Sequence, residues 1–218
     1  MYLGLTKTAT GPEFNVIDVS AFLTNSINSP VLIGSFAAGT SVNAILVKNN
    51  IAYIATPWPS AHPPTKENLS VLDVSNPSLG ILRLNTFTYP DTSTLSGQSI
   101  YLSKDGKTLY FGRGGLNGAH NPEFFSLDVA NPSSITLINS KYINSTVNAI
   151  TVRSNLVFMV TSDTNLGFQI WDLNNLGSPT PYGSLNTQQT ATGGMDCEGN
   201  IIYIAQRSNR ALQIIGPD

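Results

Sequence analysis

One pattern constrains this chain more than any other: a short apolar run that closes on aspartate and returns along the whole length. NVIDVS closes at Asp18, SVLDVSNP at Asp73, FSLDVANP at Asp128 and QIWDLNN at Asp172, and LQIIGPD repeats the run with Gly216 in the aspartate's place. Successive sites lie 55, 55, 44 and 44 residues apart. Periods of this size mark repeat architectures, in which one supersecondary unit cannot bury its apolar face alone and uses its neighbour to do so.

Each run has the same setting. An aromatic-led strand precedes it: Tyr2-Leu-Gly-Leu, Tyr53-Ile-Ala-Thr, Tyr110-Phe-Gly-Arg, Phe158-Met-Val-Thr and Tyr203-Ile-Ala-Gln. Ahead of the last four lies a further strand: VNAILV from Val42, GQSIYL from Gly97, VNAITV from Val147 and GGMDCE from Gly193. Between the two strands sit Lys48-Asn49-Asn50, Lys104-Asp105-Gly106-Lys107, Arg153-Ser154-Asn155 and Cys197-Glu198-Gly199-Asn200. Asn-Asn and Asp-Gly suit the positive φ that a tight hairpin requires. After the aspartate, Asx and Ser chemistry turns the chain and Pro77 or Pro132 blocks continuation of the strand. PVLIGSF, GILRLNTF, ITLINSKY and TPYGSL then supply a fourth strand.

The unit is therefore strand A, hairpin, strand B, loop, strand C ending at the aspartate, turn, strand D. Four antiparallel strands per repeat predict an all-β chain, a β-propeller of four-stranded antiparallel blades. About five blades are expected in a single domain over 1–218, as repeats of roughly 1–40, 41–92, 93–145, 146–190 and 191–218. The terminal blades are incomplete, the first without strand A and the last without strand D, which makes eighteen strands in all. The chain thus reads either as a five-bladed ring with short terminal blades or as part of a larger propeller.

The VIDVS, VLDVSNP and SLDVANP runs, each behind its Tyr-led strand, resemble LVIVD repeats. The Ser103-Lys-Asp-Gly-Lys-Thr-Leu-Tyr110 hairpin is also similar to the turn of YVTN-type and lactonase-like propellers. The resemblance implies a bacterial surface or secreted propeller. It carries no catalytic residues, because the repeated signature is structural.

Composition narrows the function classes. The 218 residues carry 11 Lys+Arg against 13 Asp+Glu, a net charge of −2, and only 11% charged residues against 41% apolar ones. Branched apolar content at this level excludes intrinsic disorder. Without a basic stripe to neutralise phosphates, nucleic acid is not an expected partner. No run approaches the roughly 18 apolar residues of a membrane-spanning helix, so no membrane insertion is expected. The low charge and the abundance of Ser, Thr and Asn point to an extracellular or cell-surface location. The start MYLGLTKTAT lacks the basic region and long apolar stretch of a signal peptide, so a targeting segment is expected to lie outside this chain. The single cysteine, Cys197, cannot form an internal disulfide.

Candidate site residues follow from the blade map. The two histidines, His62 in PWPSAHPPTKEN and His120 in GGLNGAHNPEF, lie in the long B–C loops of neighbouring blades, on the face where repeat arrays place binding insertions. With Glu67 or Glu123 as third ligand they could hold a divalent metal such as zinc, and His62, His120 and Glu123 could then activate water for hydrolysis of a lactone or ester. The alternative is a pair of loop histidines, solvated or packed on prolines, with no cofactor. Asp163-Thr-Asn165-Leu-Gly167 has the beginning of a calcium loop without its later acidic ligands, and turn chemistry accounts for it.

Asn43, Gln98 and Asn148 share one place at the start of strand A in consecutive blades, where they predict a ring of amides at the channel mouth. Such a ring can bond a polar ligand, or hold water and its own backbone. Arg113 and Arg207 end their B strands towards the same face, and Arg113 could fork a carboxylate. Trp58, between Pro57 and Pro59, offers an aromatic platform to a sugar or protein partner, or clamps its own loop. Trp171 and the B-strand aromatics are core positions, and the repeated aspartates are structural. No nucleophile elbow, phosphate loop, dinucleotide fingerprint or Cys-x-x-Cys pair occurs.

Two functions remain. The first is a non-enzymatic binding or structural module with a polysaccharide or protein ligand on the face of the B–C and D–A loops. The second is a lactonase-like hydrolase. Incomplete terminal blades also leave strand edges through which copies could self-associate.

Overall fold

The structure, a computed structural model, describes residues 1–20, 29–57, 68–90, 95–114, 121–187, 194–206 and 211–216. It contains five antiparallel sheets, each a meander of strands in chain order. The first sheet holds β1 (Tyr2–Gly4), β2 (Phe14–Asp18) and β3 (Val31–Phe36). The second holds β4 (Ala44–Lys48), β5 (Ile51–Ala55), β6 (Leu69–Asp73) and β7 (Leu82–Phe87). The third holds β8 (Ser96–Leu102), β9 (Thr108–Gly114), β10 (Phe124–Asp128) and β11 (Thr136–Lys141). The fourth holds β12 (Val147–Arg153), β13 (Leu156–Thr161), β14 (Phe168–Asp172) and β15 (Thr180–Leu185). The fifth holds β16 (Met195–Glu198), β17 (Ile201–Ala205) and β18 (Leu212–Ile215). The strand count and the short first and last sheets agree with the repeat reading. Among the described residues no helix is long and apolar enough to cross a membrane.

Local chemistry explains each unit. At the A–B hairpin of the second sheet Asn49 and Asn50 adopt φ of 51° and 63°, and Gly106 and Gly199 serve the same turn elsewhere with φ of 77° and 57°. The repeated aspartates end strand C by accepting the backbone N–H two residues on. Asp18 takes Ser20 at 2.8 Å, Asp73 takes Ser75 at 2.8 Å, Asp128 takes Ala130 at 2.9 Å and Asp172 takes Asn174 at 2.7 Å. These are Asx turns that supply locally what the sheet ladder no longer provides. A register shift of the kind a β-bulge makes lies just before the aspartate in the C–D pair of each of the first four sheets.

The core lies between sheets. In the second and third sheets strands B and C are buried on both faces, so alternate residues serve two different neighbours. In β5, Ala52 and Ile54 join Phe14 and Val16 of the first sheet, whereas Tyr53 and Ala55 join Leu109, Phe111, Phe125 and Leu127 of the third. Tyr110 and Phe124 meet Val147, Val157 and Met159 of the fourth sheet, and Val160 and Phe168 meet Ile202 and Ile204 of the fifth. Neighbouring sheets also approach along their first strands, β1 with β4, β4 with β8, β8 with β12 and β12 with β16.

Specific bonds fix these junctions. The Gly97 N–H donates to the Thr56 carbonyl at 2.9 Å, and the Ser99 hydroxyl donates to the Val147 carbonyl at 2.7 Å. Two glycines permit the approach. A Cβ on Gly97 would lie 2.3 Å from the Asn68 carbonyl oxygen, and one on Gly112 would lie 2.2 Å from Ser99 Oγ. The expected aromatic core holds for Tyr53 and Tyr110, which are buried. Phe158, Trp171 and Tyr203 are only half-buried, since the fourth and fifth sheets cover them less fully.

Candidate functional site

The start of strand A brings amides from three sheets together. Asn43 immediately precedes β4, Gln98 lies in β8 and Asn148 in β12, and Gly194 holds the corresponding place before β16. All four line one cavity of about 480 Å³, with Ser99, Ala149 and Met195 among the other walls. Among the described residues this lining carries no charged side chain. The three amides that the sequence reading placed together thus line one cavity.

Part of its hydrogen-bonding capacity is spent on the scaffold. Asn43 donates through Nδ2 to the Gly97 carbonyl at 2.7 Å, tying the second sheet to the third. Asn148 donates through Nδ2 to Ser162 Oγ at 2.9 Å, which holds it against the end of its own strand B. Gln98 lies across Gly114, where a Cβ would come within 2.6 Å of Gln98 Cγ. An amide keeps donors and acceptors beyond a single bond, so each ring member can hold the scaffold and still meet a polar solute. A neutral, donor-and-acceptor wall of this kind suits hydroxyl groups better than phosphate or carboxylate, which need compensating cations.

Arg113 departs from its expected place. The side chain at the end of β9 is 1% exposed and turned into the protein. It donates from Nη2 and Nε to the Pro122 carbonyl at 2.7 and 3.2 Å, and its guanidinium sits over the rings of Phe125 and Tyr89 at 4.8 and 5.6 Å. Stacking on two aromatics offsets the loss of water around a weakly hydrated cation. The arginine clamps the B–C loop and does not line the amide cavity.

Glu123 is also buried, and Oε2 accepts the N–H groups of Ile143 at 2.8 Å and Asn144 at 3.1 Å. Burial raises its pKa above the ordinary value, against the opposing pull of those two N–H groups and the charge of Arg113. As a candidate metal ligand or catalytic acid it is thus committed to the backbone of the D–A loop. Among the described residues no three His, Cys, Asp or Glu side chains are grouped to hold a metal. Trp58, His62, Glu67, His120 and Arg207 lie outside the described residues.

The other motifs take structural roles. Asp163 Oδ1 accepts the Asn165 and Leu166 N–H groups at 2.7 and 2.9 Å, a turn in place of an ion loop. Cys197 is half-buried beside Thr151 at 3.8 Å. A shared role that the sequence reading passed over belongs to the position five residues before each of the first three aspartates. Glu13, Asn68 and Glu123 stand there, all buried, and all three reach the segment after strand D of their own sheet. Aligning the repeats on the aspartate would have shown this column of polar residues at the head of an apolar strand.

No family model matches the sequence, and no curated protein matches it. Solved structures do. A protein from Lactobacillus plantarum is 11% identical with a TM-score of 0.69, over 99% of this chain and 65% of the other. The Cps50 (Swd1) β-propeller domain of Myceliophteria thermophila is 11% identical with a TM-score of 0.63, over 92% of this chain and 62% of that one. The periplasmic gluconolactonase of Pseudomonas aeruginosa is 10% identical with a TM-score of 0.62, over 81% of this chain and 48% of the enzyme. At such identities the likeness is one of fold, an array of propeller-type antiparallel sheets. The chain spans about half to two thirds of the length of these three proteins.

Proposed function

We propose that the chain is a non-enzymatic binding module, a propeller of the LVIVD-repeat kind from a secreted or cell-surface protein. It takes a neutral, hydroxyl-rich ligand such as a polysaccharide over the mouth of the inner channel. The observation that carries this reading is the convergence of Asn43, Gln98 and Asn148 from three consecutive sheets on one uncharged cavity. The hydrolase reading has less support, because Glu123, the one described member of its constellation, is bound to two backbone N–H groups. The gluconolactonase neighbour adds only its fold.

Titration calorimetry against a panel of neutral oligosaccharides, with lactone turnover measured in parallel, tests the proposal. Gln98→Ala is expected to weaken binding about tenfold, equivalent to about 1.4 kcal/mol, while the melting temperature stays near that of the parent. Equal affinity in Gln98→Ala and Asn148→Ala, or no binding across the panel, overturns it. Turnover lost in His62→Ala or His120→Ala establishes the hydrolase instead.

A further inference from the structure

A second cavity lies between the second and third sheets, at the opposite end of strand A from the amides. It holds about 290 Å³ and is built from the A–B hairpins of both sheets and the turn after Asp128. Ile51, Leu102, Val129 and Pro132 give it an apolar wall. Tyr53 lines it too, only 3% exposed, and among the described residues its hydroxyl has no hydrogen-bond partner. A buried phenol ordinarily finds one. Burial raises its pKa, which keeps the proton in place and leaves the group a donor.

The rim of the cavity is cationic. Lys48 crosses from the second sheet to the third, where Nζ donates to the Lys104 carbonyl at 2.6 Å and lies 3.4 Å from the Cβ that Gly106 lacks. One bond leaves the ammonium two further donors. Lys107 stands immediately before β9, the place that Asn50, Asn155 and Asn200 hold before β5, β13 and β17. The Asn50, Lys107 and Asn155 carbonyls accept the same backbone bond, from Val74, Val129 and Leu173, so the hairpin itself does not require a lysine. Among the described residues neither ammonium is in an ion pair, whereas Lys7 pairs with Glu13 at 2.9 Å. Among the described lining residues Asp105 is the one carboxylate, and its Oδ1 accepts the Ser103 hydroxyl at 2.6 Å and the Lys107 N–H at 3.1 Å. Two cations against one anion leave a single positive charge unmatched.

We propose that this cavity is a second binding site and takes a small organic anion, one carboxylate on a short apolar body. The carboxylate meets Lys48, Lys107 and the Tyr53 hydroxyl, and the apolar body lies on Ile51, Leu102 and Val129. Phosphate or sulfate fits less well, because a second negative charge would face Asp105 and the apolar wall would stay unused. The cavity shares no residue with the amide-lined one, so the site is independent of the polysaccharide reading.

Titration of the 218-residue chain with hexanoate, followed by NMR, tests this, with hexanamide, acetate and inorganic phosphate in parallel. Hexanoate is expected to saturate and to bind more tightly than the other three. Lys48→Gln and Lys107→Gln are each expected to weaken it about threefold and the double variant about tenfold, as for partly exposed ion pairs. Tyr53→Phe, which keeps the ring, is expected to weaken it about threefold, and Gln98→Ala to leave it unchanged. Lys107 is exposed, so Lys107→Gln serves alone if Lys48→Gln does not retain the parent's circular dichroism. Hexanoate that fails to saturate overturns the proposal, as does hexanamide or phosphate bound as tightly as hexanoate. Parent affinity in Lys107→Gln or in Tyr53→Phe overturns it as well.

Discussion

Glu13 and Glu123 hold the same place in two different sheets, and each fastens the residue that follows strand D in a left-handed conformation. Glu13 Oε2 accepts the Gly39 N–H at 3.2 Å, and Glu123 Oε2 accepts the Asn144 N–H at 3.1 Å, with Ile143 beside it at 2.8 Å. Gly39 and Asn144 have φ of 77° and 60° and stand three residues beyond Phe36 and Lys141, which pair with Phe14 and Phe124. A buried carboxylate thus joins the head of strand C to the loop that leads into the next sheet. In the second sheet Asn68 makes the connection in the other sense, donating to the Leu95 carbonyl at 2.8 Å.

Removing the carboxylate leaves buried donors without acceptors. Glu123→Ala is expected to destabilise the protein by about 1–3 kcal/mol, the cost of orphaned N–H groups, and Glu123→Gln, which keeps an oxygen acceptor, by clearly less. Urea denaturation of the three proteins checks the order. Equal losses in the two variants would mean that packing volume, not the acceptor, is what the site requires.

The two glutamates should also respond to pH with opposite signs. Burial raises the Glu123 pKa, and the Ile143 and Asn144 N–H groups with the Arg113 charge only partly offset it. A raised folded-state pKa contributes stability that is fully present below the unfolded value of about 4.5 and is lost as pH rises through the folded value. For Glu13, burial acts upward too, but the Lys7 ammonium, 2.9 Å from Oε1, and the Gly39 N–H outweigh it and bring the pKa below the ordinary value. Its contribution is present above the unfolded pKa and lost as pH falls. Subtracting the stability curve of Glu123→Gln from that of the parent should give a difference that declines from pH 4.5 upward. The Glu13→Gln difference should decline downward. Parallel curves for parent and variants would contradict both assignments.

The strands, their order and the aspartate turns were legible because each is written in residues that lie near one another in the chain. Asp18, Asp73, Asp128 and Asp172 bond only two residues ahead, so a local motif suffices. The amide cluster was legible for another reason: equal places in successive repeats fall on neighbouring first strands, which lie beside one another. Arg113 and Glu123 resisted the same treatment. What turns Arg113 inward is Tyr89 on the D–A segment and Phe125 across the sheet, and what engages Glu123 is the loop after strand D. Tyr89 and that loop lie in connections of unequal length, where the repeat no longer dictates position. A charged side chain at the end of a strand then reads as solvent-facing until its three-dimensional neighbours are known.

The junction between the second and third sheets offers a test of how much tolerance the array has. Gly97 opposes Arg113 on β9, and its own N–H bonds the Thr56 carbonyl of the preceding sheet. An added Cβ would meet the Asn68 carbonyl oxygen at 2.3 Å and the Phe111 ring at 3.1 Å. The first of these atoms belongs to backbone and the second to a fully buried side chain, so neither can yield by a rotamer change. Gly97→Ala is expected to push the two sheets apart, lengthening the Asn43-to-Gly97 bond beside the amide-lined cavity as well. Overpacking of this kind costs about 1–3 kcal/mol. Gly216→Ala is the control, since among the described residues no atom lies within 4 Å of the Cβ it would add. Thermal unfolding should separate the two variants by several degrees, with Gly216→Ala close to the parent. If Gly97→Ala melts with the control, the sheets slide past one another more freely than the shared core of Tyr53, Leu69 and Phe111 implies. The amide ring would then be an adjustable site and not a fixed one.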